Sequence, residues 1–477
     1  MIVFERLAAR VGGRSMLVSL IVAIAFFMET LDSTIIVTAI PRMAGDFGVD
    51  PARMSLGITA YIMAAAACVT ASGWLADRIG TRTLFSGAIV LFAVASLACG
   101  LAPNFNAFVT ARAVQGVAAA MMSPVGRLVV LRTSEKKDLM KALSALIWPG
   151  LIAPVIGPPL GGWITQTASW HWIFFVNVPI AVIGLPLILA TVPQEKQPTK
   201  PFDTAGFLLT ALALVCLTYG FDLLALRDKT ALVEGVGLMA ASVVVGSLAL
   251  AHMRRSDRPL IRLDALKVKS FFVASVSGGV VSRATIGAVP FLLPLMLQIA
   301  HHLSATEAGG MLMIYMAANL GMKTVTNRII TRLGIRTTLI GSSLVAGGTI
   351  ALCALIGPSL PLAVNAAILA AAGALRSLQF TAVTMVNFAD IAPPQRQPAS
   401  VLSSLTQQIG FGAGVAVGAL LLTVSQWTRG AASIGLVDFQ VALGIAGLAA
   451  AAASLSYRGL ARTVGDEIAG RAPRPQA

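Results

Sequence analysis

The chain has 477 residues, 57% of them apolar and only 12% charged, and its mean hydropathy is +0.84. That balance excludes a soluble enzyme, a disordered chain and a soluble domain on one anchor, because apolar runs of about 20 residues recur to the C-terminus. The formal net charge of +15 is topological rather than a nucleic-acid footprint, since its basic residues gather in alternate loops.

Windows of about 19 residues predict an all-α integral membrane protein of fourteen spans. In chain order they are 17–39, 54–75, 83–102, 106–131, 142–164, 172–192, 204–224, 231–253, 270–297, 306–325, 337–357, 361–388, 399–426 and 437–455. An even number puts both termini on one side. Segments on that side hold Arg6, Arg10, Arg14, Arg78, Arg82, Arg132, Lys136, Lys137, Lys141, Arg254, Arg255, Arg258, Arg262, Arg328, Arg332, Arg336, Arg458 and Arg462. The other side holds Arg42, Arg53, Arg227, Lys229 and Arg429. The positive-inside rule therefore predicts a multi-pass protein with both termini cytoplasmic, and arginine- and alanine-rich usage with short loops points to a bacterial cytoplasmic (inner) membrane. The first span is read as retained rather than cleaved, because it carries Glu29 and Asp32, which a signal peptide avoids. No soluble segment exceeds about 20 residues, so no catalytic or nucleotide-binding domain is expected. Cys68, Cys99, Cys216 and Cys353 stand singly, and His301 and His302 lack carboxylate or cysteine company. Neither a metal nor a cofactor is expected.

The second half repeats the first. Gly73-Trp-Leu-Ala-Asp77-Arg78-Ile-Gly80-Thr-Arg82 follows the second span; Asn327-Arg-Ile-Ile-Thr331-Arg332-Leu-Gly334-Ile-Arg336 follows the tenth. Arg78, Gly80 and Arg82 return as Arg332, Gly334 and Arg336, while Asp77 becomes Thr331. Arg112-Ala-Val-Gln115 in the fourth span returns as Arg376-Ser-Leu-Gln379 in the twelfth. The expected organisation is a six-helix bundle over 1–192, a linker with two extra helices over 193–269, a second six-helix bundle over 270–457 and a tail over 458–477.

These strings together resemble the major facilitator superfamily, and within it the fourteen-helix drug:proton antiporter branch. Gly73 to Arg82 is similar to its motif A, Arg112 to Gly116 to motif B, and Gly157-Pro158-Pro159-Leu-Gly161-Gly162 to the antiporter motif C. Leu31-Asp32-Ser-Thr34 through Pro41 is similar to the first-helix signature. Ala153 stands where motif C usually has glycine, and Thr38 where many members carry asparagine. The resemblance implies the major facilitator fold, proton relay at motif B, a hinge at motif C and a conformational latch at motif A.

Independently of that resemblance, an acid inside the hydrocarbon costs several kcal/mol if ionised and unpaired, which marks Glu29 and Asp32 as functional. They are i and i+3 on one helix, about 18 and 22 Å from its cytoplasmic end. Arg112 reaches similar depth and is expected to alternate between them as charge partner, with Gln115 beside it. Arg283 and Arg376 are buried cations without an assignable acid; they either meet backbone carbonyls or an anionic substrate group. Ala153, Gly157 and Gly161 repeat every four residues and Pro158 and Pro159 bend the helix, which permits close packing. Asp77, Arg78 and Arg82 are placed to meet helix ends, acids or anionic lipid. Trp170-His171-Trp172, with Asn177 and Pro179, reads as an aromatic belt. Met121, Met122, Phe271, Phe272 and Phe291 are candidates for an adaptable pocket, or for helix core. Gly321-Met-Lys323-Thr324 and Gly410-Phe-Gly412-Ala-Gly414 have the wrong spacing for phosphate or dinucleotide loops and are read as packing glycines.

The resemblance, rather than composition, implies proton-coupled export of a small, amphipathic or drug-like molecule by alternating access. The expected partners are substrate, protons and membrane lipid, without nucleic acid and as a monomer. A proton-coupled uptake symporter or facilitator for a metabolite, and a non-transporting sensor, are the competing classes.

Overall fold

A computed structural model describes residues 14–133, 139–198, 201–224, 229–257, 259–392 and 395–465. Arg6, Arg10, Lys136, Lys137, Arg227, Arg258 and the tail beyond 465 lie outside these. A helix stands at each expected span. Spans 1 to 6 are Arg14–Ile35, Ser55–Ile79, Thr81–Gly100, Phe105–Thr133, Leu139–Thr167 and Trp172–Phe175 with Asn177–Thr191. Spans 7 and 8 are Thr204–Leu224 and Lys229–Arg255. Spans 9 to 14 are Lys269–Ser275 with Gly278–Leu295, then Ala305–Leu333, Ile335–Cys353, Leu362–Ala389, Arg396–Thr428 and Leu436–Tyr457. Twelve of these are long and apolar enough to cross a membrane unaided. The other two, spans 5 and 10, are 29 residues each and pack on one another at the middle of the molecule.

Packing divides the helices into two sets of six. Span 1 lies on span 5 and span 2 on span 4; span 9 lies on span 13 and span 10 on span 12. The sets meet through spans 5 and 10 and through spans 2 and 13. Matching each span of the first set to its counterpart exchanges these two contacts, so the halves are related by an approximate two-fold axis. The repeated strings share backbone geometry as well: Gly80 and Gly334 end spans 2 and 10 at φ +100° and +85°. A side chain there would be strained, and the positive φ starts the next helix within one residue.

Helix crossings repeat too. A Cβ on Gly116 would lie 2.2 Å from the Tyr61 carbonyl oxygen, and one on Gly373 would lie 2.0 Å from that of Tyr315. Spans 4 and 12 can cross spans 2 and 10 this closely only through glycine. Arg112 precedes its crossing glycine by one turn, whereas Arg376 follows Gly373 by about one turn. The Arg-Gln string of span 12 therefore sits roughly 10 Å further along its helix than its counterpart in span 4.

Spans 7 and 8 pair with each other at the periphery, against spans 2 and 13, and turn Val215, Val233 and Val243 outward. They are pinned at both ends. Arg53, after span 1, lies 3.7 Å from Asp222 of span 7. At the opposite end Asp203 accepts the Gly206 and Leu260 amides, both at 2.9 Å, and meets His252 at 2.8 Å. Burial opposes the Asp203 charge, yet the Gly206 amide, His252 and the Leu260 amide together hold its carboxyl below the ordinary value of 3.8. A depressed folded-state pKa contributes stability above the ordinary carboxylate range, and that stability is lost as pH falls through the folded value. Asp203→Ala is expected to cost about 1–2 kcal/mol and to speed amide exchange in span 8 at neutral pH. Lowering the pH below about 4 is expected to bring the native protein toward the variant.

Candidate functional site

Motif B residues form a closed cage in the first bundle. Arg112 donates from Nη1 to Asp32 Oδ2 at 2.7 Å and to Gln115 Oε1. Gln115 Nε2 returns to Asp32 Oδ1 at 2.8 Å and to Ser96 at 2.8 Å. Asn177 Nδ2 completes it, donating to Asp32 Oδ1 at 2.7 Å and to Ser96 at 3.1 Å. The guanidinium lies 4.4 Å from the Tyr61 ring centroid and its Nε faces the Gly57 carbonyl at 3.4 Å. Asp32, Ser96, Gln115 and Asn177 are fully buried, and Arg112 is 1% exposed. Three N–H donors on one carboxylate are the bonding of an anion, and in low dielectric such a charge persists only when so compensated.

Glu29 has a different environment although it is one turn away. It is partly exposed, takes a 2.5 Å hydrogen bond from Ser123 of span 4, and interacts electrostatically with Arg127 of the same span. In this conformation Arg112 pairs with Asp32, one of the two acids between which it is expected to alternate. Rotation sets the acids apart: residues three apart on a helix diverge by about 60°, enough to aim Asp32 into the bundle and Glu29 along span 4.

In the second bundle Gln379 donates to Ser282 at 3.0 Å and Ser343 at 3.1 Å, and Ser282 bonds the Tyr457 hydroxyl at 2.7 Å. This is a hydroxyl counterpart of the cage, without an acid. Arg283, 1% exposed, gives Nη1 to the Ala274 carbonyl at 2.8 Å, at the break between the two helices of span 9. Of the two readings open for this residue, the backbone carbonyl is the partner seen. Arg376 faces the Met316 sulfur at 3.7 Å and the Tyr315 ring at 5.6 Å.

Motif C packs on span 1 of its own bundle through Gly157 and Gly161 and on span 10 of the other through Gly162. A Cβ on Gly157 would meet Thr34 at 2.3 Å, one on Gly161 the Ile35 carbonyl oxygen at 2.2 Å, and one on Gly162 the Ala305 carbonyl oxygen at 2.2 Å. A Cβ on Gly309 of span 10 would likewise lie 2.4 Å from the Pro158 carbonyl oxygen. Thr38 donates to that same Pro158 carbonyl at 3.3 Å, and Gln298 of span 9 donates to the Thr38 carbonyl at 3.1 Å. These contacts all lie at the far end of spans 1, 5, 9 and 10, opposite the face of the basic loops. That end is sealed.

On the basic face Asp77 pairs with Arg132 at 2.7 Å, and Arg78 lies 4.9 Å from the Trp74 ring. The segment after span 6 docks here: the Thr81 amide donates to the Glu195 carbonyl at 3.1 Å and the Gln197 amide to the Asp77 carbonyl at 2.9 Å. Gln194 Nε2 caps the Ile79 carbonyl at 2.9 Å while its Oε1 accepts the Thr83 amide at 3.1 Å. Arg82 is partly exposed. A Cβ on Gly73 would meet nothing within 4 Å, so packing does not explain glycine there.

Several sequence readings are revised. Asn177 belongs to the cage, and Trp170, 2% exposed, donates to Asp46 at 2.6 Å instead of joining an aromatic belt; Trp172 alone of that trio is well exposed. Met122, Phe271 and Phe291 are fully buried core and Phe272 points outward. Asp222 and Asp438 are further acids within spans, near their far ends, paired with Arg53 and Arg429. Ser96, Ser123 and Tyr61 carry no signal in the sequence that separates them from other small or aromatic helix residues.

Two six-helix bundles joined about a two-fold axis, with charged residues held between apolar spans, define a membrane transporter rather than an enzyme. The Major Facilitator Superfamily profile matches residues 22–385, and the chain belongs to that superfamily. Its relatives include the multidrug resistance protein MdtD of Pectobacterium carotovorum subsp. carotovorum (strain PC1), 34% identical over 419 residues, which are 87% of this chain and 89% of that protein. The MdtD protein of Shigella flexneri serotype 5b (strain 8401) is 35% identical over 406 residues, 84% of this chain and 85% of its own. Among solved structures, the POT family transporter PepTSo superposes with a TM-score of 0.67 over 93% of this chain and 97% of that one. At 13% identity that likeness shows the shared fold.

Proposed function

We propose that the chain is a proton-coupled antiporter that exports small amphipathic, drug-like molecules across a bacterial cytoplasmic membrane by alternating access. The observation that carries this reading is the separation of two acids one turn apart: Asp32 caged with Arg112, Glu29 partly exposed with a single hydroxyl partner. Such a division suits a proton that loads Asp32 and frees Arg112, while Glu29 meets substrate in the space between the bundles. Relatives named for multidrug resistance support export over uptake. The basic loops are then cytoplasmic together with both termini, the sealed far end is periplasmic, and the conformation faces inward. The units are 1–192, 193–269, 270–457 and 458–477, acting as a monomer in contact with lipid. Arg112 and Gln115 position Asp32; Asp77, Arg78, Gly80 and Arg82 latch the basic face, and Gly157, Pro158, Gly161 and Gly162 close the opposite one.

The test is a pH-sensitive probe in everted vesicles with an imposed proton gradient and amphipathic compounds of each charge type. At least one compound is expected to dissipate the gradient. Glu29→Gln is expected to raise the half-saturating concentration of a cationic or zwitterionic compound about tenfold or more, the loss of one charge-assisted contact, with a smaller effect on maximal rate. No dissipation by any compound, with inserted and folded protein, sinks export coupled to protons.

A further inference from the structure

Most cations inside the spans have a visible partner. Arg112 has Asp32, and Arg283 has the Ala274 carbonyl. Lys323 of span 10 and Arg376 of span 12 have softer company: Arg376 meets the Met316 sulfur at 3.7 Å and Tyr315, and Lys323 the Phe380 ring. Both are only partly exposed and lie within each other's electrostatic field. Among the described residues, no carboxylate comes within ion-pair distance of either. Lys323 lies 6.0 Å from the ring centroid of Phe380, which is one turn beyond Arg376 and stacks on Phe411 at 6.3 Å. The Arg376 guanidinium covers the Tyr315 ring. Two like charges that share a membrane-buried wall are costly unless an anion joins them.

Their place in the fold says what can reach them. Phe411 precedes Gly412, where a Cβ would strike Met63 of span 2 in the other bundle. Tyr61, two residues earlier on span 2, turns the opposite way to Arg112. Span 2 thus touches both the second-bundle helix that carries Phe411 and the first-bundle cage one turn from Glu29. Glu29 and Arg376 match in depth: Glu29 is 15 residues from Arg14 and Arg376 is 13 from Ala389, each roughly 20 Å from the basic face.

We propose that Lys323 and Arg376 form an oxyanion seat on the second-bundle wall of the transport cavity. It takes the carboxylate or phosphate end of an amphipathic substrate whose ring system rests on Phe380 and Phe411. A basic group at the substrate's other end meets Glu29. The substrates are aromatic anions and zwitterions rather than simple lipophilic monocations. This rests on the reading above that substrate binds between the bundles.

The experiment measures fluorescence binding of norfloxacin, which has a carboxylate at one end and a piperazinium at the other, and of its methyl ester. The full chain is held in phosphatidylcholine nanodiscs with and without phosphatidylglycerol. The acid is expected to bind at least about tenfold more tightly than the ester, the factor carried by one charge-assisted hydrogen bond. Lys323→Gln with Arg376→Gln is expected to erase that preference while ester affinity stays, which reports an intact cavity; Lys323→Arg is expected to keep it. Equal affinity of acid and ester for the native protein, or no binding of either, overturns the proposal. So does a preference that survives the double substitution. Loss of acid binding on adding phosphatidylglycerol also overturns it, because a lipid phosphate then owns the seat. An acid preference without proton coupling in vesicles leaves the seat standing and removes the coupling mechanism; coupling without the preference removes the seat alone.

Discussion

Asp32→Asn is expected to reduce substrate-driven dissipation of the proton gradient to the level of empty vesicles and to destabilise the protein by about 3–5 kcal/mol. Both effects follow from the cage. An asparagine keeps the shape and one acceptor, so Gln115 and Asn177 retain a partner, but the buried guanidinium of Arg112 loses the carboxylate it pairs with. Breaking one side of a buried pair is worse than never having built it, because the remaining charge stays desolvated. The double variant Asp32→Asn with Arg112→Gln removes the stranded charge. Its midpoint of heat denaturation, read by fluorescence-detected size exclusion, is expected to return toward native while coupling stays lost. That pattern separates a proton carrier from a helix clamp. A double variant of native stability that still dissipates the gradient at half the native rate or more would exclude Asp32 as the coupling acid.

The spans were readable because hydropathy is a local property, and the repeat because Gly80 and Gly334 perform the same turn at φ +100° and +85°. Asp32 and Arg112 were readable for a related reason: a charge in an apolar run has to be compensated by something. What compensates it is a matter of packing between distant segments. Ser96 of span 3 and Asn177 of span 6 are ordinary residues in a membrane helix, and only the way spans 3 and 6 lie against spans 1 and 4 makes them cage members. The Arg-Gln string of span 12 shows the same limit, since its letters repeat those of span 4 but its register against Gly373 does not. Spacing put Glu29 and Asp32 on one face, but about 60° of helix rotation gives them different partners in this conformation, Ser123 for one and Arg112 for the other. Lys323 was hidden by its neighbours, because a glycine and a threonine made it look like part of a mismatched phosphate loop. Its meaning depends on Arg376, Phe380 and Phe411, none of them local in sequence.

Gly162→Val is expected to open the sealed end of the molecule. The atoms a side chain would meet there are backbone, the Ala305 carbonyl oxygen at 2.2 Å and Thr306 Cα at 2.9 Å, and backbone cannot swing aside as a flexible side chain does. Span 10 makes the reciprocal approach through Gly309 to Pro158, so neither helix has slack to yield. Overpacking of this kind costs about 1–3 kcal/mol, and the cost falls only on the conformation in which spans 5 and 10 touch. The population of that conformation should drop by roughly 5- to 150-fold relative to its alternative. The hydroxyl of Thr306 donates to Gln166 at 2.6 Å across the same seam, which supplies the reporter: cysteines at these two positions, joined by a short bifunctional reagent. Cross-linking is expected to be efficient in the otherwise native background and at least about fivefold slower with Gly162→Val. Gly87→Val in span 3 is the matched control, because a Cβ there meets nothing within 4 Å and the position lies outside motifs A and C, and it is expected to leave the cross-link unchanged. Transport should fail with Gly162→Val although the protein remains folded, since a carrier that cannot reseal one end cannot complete alternating access. Unchanged cross-linking in that variant would mean that the seam tolerates a side chain, and the conformational role of motif C would have to be placed elsewhere.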